Sequence, residues 1–122
     1  MKKVLIVEDD QLIFSILSRE LSDAGFQVSN AFDGEQAITV TRDTRPDLVL
    51  LDILLPRKNG FEVLQTLKAD GELSKIPVVI LSNLGQPEDI QKGRELGAID
   101  YMVKVEFEPK QIVSKVRNLL TA

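Results

Sequence analysis

Four apolar runs in this chain each give way abruptly to polar residues. Val7 is followed by Glu8, Asp9 and Asp10, Leu51 by Asp52, Leu81 by Ser82 and Asn83, and Val103 by Lys104. The sharpest case is "PDLVLLDILLPRKNG" (46–60), which sets one acid inside the most apolar segment of the chain. A bare carboxylate is costly to hide in apolar surroundings. Carboxylates gathered in one pocket also repel one another unless a cation joins them. The chain has no histidine and no cysteine, so such a pocket offers only hard oxygen ligands. That donor set favours magnesium or calcium, and a small carboxylate cluster that leaves room for water and a phosphate suits magnesium. Lys104 supplies a point charge for a phosphate oxygen or for Asp52 itself, and Ser82 supplies a hydroxyl. A carboxylate, a divalent cation, a lysine and a hydroxyl can together carry out phosphoryl transfer onto aspartate.

The same composition excludes other chemistry. Without histidine there is no Ser-His-Asp arrangement and no phosphohistidine on this chain, and without cysteine there is no disulfide or thiolate metal site. The net charge of −4 argues against nucleic acid as a direct ligand of this segment. Asp52 interrupts the longest apolar run, so no membrane span is expected. "MKKVLIV" has too short an apolar part for a secretory signal and reads as a strand. The lack of cysteine leaves the redox compartment open, and the 122 residues fit one domain, taken here as 1–122.

Strands that end in these groups must all end on one side of the molecule. "KKVLIV", "FQVSNA", "LVLL", "IPVVILS" and "IDYMV" read as five strands, each followed by a helical pattern. Gly25 and Gly97 stop the first and fourth helices, Asp33 with Gln36 resembles a capping box, and Pro87 and Pro109 suit first turns. Alternating strands and helices imply an α/β fold, a doubly wound parallel sheet covered on both faces with right-handed crossovers. The continuous apolar strands one, three and four belong at its centre. This agrees with the order 2-1-3-4-5 known for flavodoxin-like (βα)5 sheets, in which ligands bind at the carboxyl ends of the strands.

"VLIVEDD", "PDLVLLDILLPRKNGFEVL", "IPVVILS" and "GAIDYMVK" resemble, in order and spacing, the receiver domain of two-component response regulators, and the resemblance spans essentially the whole chain. It implies a phosphorelay module that takes a phosphoryl group onto Asp52 from a sensor histidine kinase or phosphotransfer protein, with Mg2+ as cofactor. By the same resemblance Asp9 binds the metal directly and Glu8 through water, with Asp52 and the backbone carbonyl of Leu54 as further ligands. Ser82 contacts the phosphoryl group, Lys104 pairs with it, and Tyr101 is an aromatic switch. The surface of the fourth helix, fifth strand and fifth helix then changes for a downstream protein target or a C-terminal effector domain. Such a module modifies itself but turns over no other substrate, so it is not an enzyme in that sense. Pro56 and Gly60 match the loop after the acceptor, where a glycine can take positive φ.

Two positions depart from the family pattern. Val105 stands where proline usually follows the lysine, which is expected to soften the loop "KVEFEP". Asn83 stands where a small residue is usual, and is expected to crowd the approach to the acceptor. Plainer readings compete at single positions. Asp52 alone could cap a turn, Glu8 could be a solvated strand-end charge, and Asp10 reads as a helix cap rather than a ligand. Thr41, Thr44, Arg57 and Lys58 read as solvated, and Tyr101 as partly packed at rest. The rival functions are an aspartate-nucleophile phosphatase, which needs an acid where Leu54 stands, and a non-signalling flavodoxin-like binding protein. The latter needs a phosphate-cradling loop where this chain has "EDDQL".

Overall fold

The computed structural model describes residues 1–121. Five strands, β1 (Lys3–Val7), β2 (Gln27–Ala31), β3 (Leu48–Leu51), β4 (Val78–Ser82) and β5 (Asp100–Val103), form one parallel sheet in the order β2-β1-β3-β4-β5. Between and after them run α1 (Gln11–Asp23), α2 (Gly34–Thr44), α3 (Gly60–Ala69), α4 (Pro87–Glu95) and α5 (Pro109–Thr121). This is the flavodoxin-like (βα)5 arrangement expected from the alternation. Two single 3-10 turns, Leu73–Lys75 and Lys104–Glu106, were not legible in the pattern.

The continuous apolar strands are buried on both faces because successive residues point to opposite sides of the sheet. Val4, Ile6, Leu48, Leu50, Val79, Leu81 and Met102 pack with Leu17 and Leu21 of α1 and Ile112, Val113 and Val116 of α5. Their neighbours Leu5, Val7, Val49, Leu51, Val78, Ile80 and Tyr101 pack with residues of α2 and α3, among them Ala37, Val63, Leu64 and Leu67. Half-polar β2 lies at one edge, where Ser29 and Asn30 are only partly buried.

Helix ends are fixed by the expected side chains. Asp10 accepts from Leu12 N and Ile13 N at 2.9 and 3.1 Å, so it caps α1 as read from the sequence. Asp33 accepts from Gln36 N at 2.8 Å, and the Gln36 side chain reaches back to Phe32 N, one residue before the cap. Gly25 and Gly97 close α1 and α4 with φ of +96° and +111°. Thr41 is not solvated: it is fully buried in α2, where its hydroxyl donates to the Ala37 carbonyl at 2.6 Å. That back-bond satisfies the hydroxyl and lets a polar residue occupy the buried face.

The loop after β3 is tight for a different reason than expected. Gly60 does not take positive φ; the left-handed position in this loop is Arg57, at φ +69°. Gly60 is needed because a Cβ there would lie 2.3 Å from the Asp52 carbonyl oxygen and 2.6 Å from Ile53 Cα. Its amide donates to the Ile53 carbonyl at 2.9 Å, which folds the start of α3 onto the residue after Asp52. Gly60→Ala is therefore expected to lower unfolding stability by about 2 kcal/mol, a cost of the size found for overpacking. Gly71→Ala, where a Cβ meets nothing within 4 Å, should change it by less than about 0.5 kcal/mol. Urea unfolding of the two variants measures the contrast, and equal losses would contradict this packing.

Candidate functional site at the carboxyl edge of the sheet

Register brings the polar residues together. Val7 pairs with Leu51, so Glu8 and Asp52 leave the sheet side by side, and Ser82 pairs with Val103, so Lys104 follows one residue later on the neighbouring strand. The backbone ladder continues through the two acids, with Glu8 N donating to the Ala31 carbonyl and Asp52 N to the Val7 carbonyl. Glu8 is therefore tied to β2 and Asp52 to β1, not carried on free loops.

Asp52 is more deeply placed than a strand-exit position implies, at 5% exposure, and Glu8 is 3% exposed rather than solvated. Lys104 makes this tolerable. Its Nζ lies 2.5 Å from Glu8 Oε1 and 2.8 Å from Asp52 Oδ2. The remaining oxygens are also engaged: Glu8 Oε2 accepts from Asp10 N at 3.1 Å and Asp52 Oδ1 from Leu54 N at 3.1 Å. The sequence reading placed Lys104 on Asp52 or on a phosphate; Glu8 as a second partner was not anticipated.

Charge in this pocket is finely set. Burial pushes the Glu8 carboxyl above its ordinary value, against the pull of Lys104 and of the Asp10 N–H, and the neighbouring Asp52 charge adds to the rise. Burial alone would lower Lys104, but its hydrogen bonds to Asp52 and Glu8 outweigh that and hold the ammonium above the usual lysine value. Asp9 is exposed at the mouth, and ligand oxygens of Glu8, Asp9 and Asp52 all lie within 4.8 Å of one another. Three carboxylates against one lysine leave the cluster with excess negative charge and oxygen donors only. This matches the donor set that magnesium takes. Leu54, named as a backbone ligand, sits in the loop directly above, with its side chain 56% exposed.

Ser82 is fully buried, and its Oγ accepts from Leu84 N at 3.3 Å, which leaves the hydroxyl proton free to donate. Tyr101 points inward and is packed more closely than the sequence implied. It is 7% exposed, and its hydroxyl donates to the Leu84 carbonyl. Burial, with the Asp89 and Asp52 charges adding, pushes its phenol up to about 12. Asn83 and Val105, the two departures from the family pattern, meet each other: Val105 N donates to Asn83 Oδ1 at 3.2 Å. The loop expected to be soft is a 3-10 turn, and no peptide bond among the described residues is cis. No helix among the described residues is long and apolar enough to cross a membrane.

Comparison with known proteins places this geometry in context. Residues 4–117 match the response regulator receiver domain family. A probable transcriptional regulator, ycf27 of Cyanophora paradoxa, is 42% identical over 98% of the chain and 48% of its own length. The DNA-binding response regulator MtrA of Mycolicibacterium smegmatis is 41% identical over 98% of the chain and 50% of its own length. The chain thus spans about half the length of the curated relatives it matches. Among solved structures, the Vibrio cholerae chemotaxis protein CheY4 superposes with a TM-score of 0.90 at 31% identity, covering 98% of this chain and 99% of that one.

The ion-pair geometry fixes a pH signature. Lys104 is held above 10.5 in the folded state, so its stabilisation is complete below that value and is lost as pH rises through the raised one. Glu8 is held above 4.5, so folding takes up its proton on acidification, and the cost of its buried charge is fully present only above the raised value. Lys104→Met leaves both carboxylates without their cation. It should cost about 3 kcal/mol at pH 7 in the presence of a chelator. The deficit should shrink toward pH 5, as Glu8 takes up a proton. Urea titrations at both pH values test this, and a deficit independent of pH would refute the assigned origin.

Proposed function

The chain belongs to the response regulator receiver domain family, and from that premise we propose that it accepts a phosphoryl group on Asp52 and passes the signal on through a change of surface. The observation that carries the reading is the Lys104 ammonium shared between Glu8 and Asp52, at 2.5 and 2.8 Å, in a pocket that Asp9 completes as an oxygen-donor cluster. A nucleophile, a cation-binding set and a phosphate counter-charge thereby converge on one carboxylate.

In the proposed reaction a carboxylate oxygen of Asp52 attacks phosphorus in line. The bond from phosphorus to the donor group breaks, its electron pair leaves with the donor, and an acyl phosphate remains on Asp52. The donor is a sensor histidine kinase or phosphotransfer protein. Glu8, Asp9, Asp52 and the Leu54 carbonyl would hold Mg2+, which neutralises charge on the phosphoryl oxygens when bound. Lys104 gives up part of its contact with the acids to pair with a phosphoryl oxygen. Ser82 donates its free hydroxyl proton to another. Hydrolysis by water returns the carboxylate, so the chain modifies itself and turns over no separate substrate.

The output is a protein surface rather than nucleic acid, in keeping with the net charge of −4. In this reading the output lies on the face of α4, β5 and α5; supporting it, Tyr101 of β5 contacts the loop after β4 and Lys104 contacts the acids. Its recipient is a downstream protein or an effector domain, and the setting is cytoplasmic. A phosphatase reading is weaker, since the position two residues after Asp52 is Leu54 and offers no general acid. Incubation with acetyl phosphate and magnesium should add one base-labile phosphoryl group. Asp52→Asn should abolish the addition, and Asp9→Ala should remove its magnesium dependence. Intact-protein mass spectrometry reads both, and full phosphorylation of Asp52→Asn would defeat the assignment.

A further inference from the structure

Lys104 and Ser82 each precede one partner of the hydrogen bond between Val105 N and Asn83 Oδ1. That bond depends on both unusual residues at once. An alanine at 83 has no oxygen to offer, and a proline at 105 has no N–H to give. It ties the loop after β4 to the 3-10 turn Lys104–Glu106. A second tie runs parallel to it, from the Tyr101 hydroxyl to the Leu84 carbonyl. The amide of the same Leu84 donates to Ser82 Oγ. Residues 82–84 are therefore fastened to β5 and its turn at two points, with Tyr101 buried.

We propose that Asn83 and the Val105 amide form a latch that keeps Ser82 and Lys104 set for a phosphoryl group, and Tyr101 inward, before phosphorylation. Asn83 is a positioning residue: it acts through the two groups beside it. The proposal rests on the phosphoacceptor reading for its consequence but not for the latch itself. In a two-state switch, ligand shifts the population only by its differential affinity for the two states. A latch that already favours the inward state lowers the cost of binding, so phosphoryl mimics should bind more tightly than they would without it. One exposed hydrogen bond moves such an equilibrium by roughly two- to tenfold.

The chain contains a single tyrosine and no tryptophan, so its intrinsic fluorescence reports Tyr101 alone. Acrylamide quenching of the unphosphorylated protein should be weak in the parent and stronger in Asn83→Ala and Val105→Pro. Val105→Ala keeps the N–H and loses only a side chain that is 81% exposed, so it should behave as the parent. The double variant Asn83→Ala/Val105→Pro should be no more quenched than either single one, since both remove one bond. With magnesium present, beryllium fluoride should bind Asn83→Ala roughly two- to tenfold more weakly than the parent. Additive effects in the double variant, equal behaviour of Val105→Ala and Val105→Pro, or a Tyr101 as shielded in Asn83→Ala as in the parent would each overturn the latch. Should Val105→Pro fail to fold, the contrast between Asn83→Ala and Val105→Ala still decides. If the parent binds no beryllium fluoride at all, the phosphoacceptor reading fails, and quenching alone then decides whether the latch exists.

Discussion

One ammonium group between two buried carboxylates sets the terms for the rest of this molecule. Glu8 and Asp52 emerge from adjacent, register-matched strands and are almost wholly removed from solvent. Two like charges so placed would drive protonation or local opening if nothing opposed them. Lys104, on the far side of the sheet's carboxyl edge, closes contacts to both. The sheet order follows as a requirement. β1 and β3 must be neighbours to pair the acids, and β5 must lie close enough on the same edge for its following lysine to reach them.

The ion pair also connects the pocket to the surface. Lys104 opens the turn after β5, Asn83 follows directly on Ser82, and the two segments are joined by the Asn83–Val105 bond. Tyr101, one turn of strand before Lys104, is anchored to the same loop through Leu84. In the proposed function, a change of charge at Asp52 acts first on Lys104, which contacts it, and through Lys104 on the turn after β5. The coupling is a short chain of hydrogen bonds between two packed strands and their loops, which suits an element with two discrete arrangements.

Much of this was legible in the residues. Continuous apolar strands marked the sheet centre, Asp10 and Asp33 marked helix starts, and polar residues at four strand ends predicted a shared pocket. What escaped depended on contacts distant in sequence. Thr41 looks solvated because a lone threonine in a polar stretch gives no sign of a back-bond to Ala37 or of the face it occupies. Gly60 suggested backbone freedom, whereas the need is close approach to Asp52 and Ile53, which only the folded loop reveals. Tyr101 reads only as partly packed because its partner, the Leu84 carbonyl, is a backbone atom that any residue would supply. Asn83 and Val105 were each visible as departures from the family pattern. Their compensation required seeing that one provides the acceptor the other can use.

The central claim is that Lys104 balances the acids and yields part of that role when a divalent cation enters among Glu8, Asp9 and Asp52. Nitrogen NMR of the Lys104 side-chain ammonium during a magnesium titration of the unphosphorylated protein tests it most directly. The account predicts a Lys104 resonance protected from exchange without metal, and a saturable shift as magnesium binds. Asp9→Ala should weaken that response severalfold. A Lys104 signal that stays unmoved while magnesium demonstrably binds the protein, or one that responds unchanged in Asp9→Ala, would contradict it.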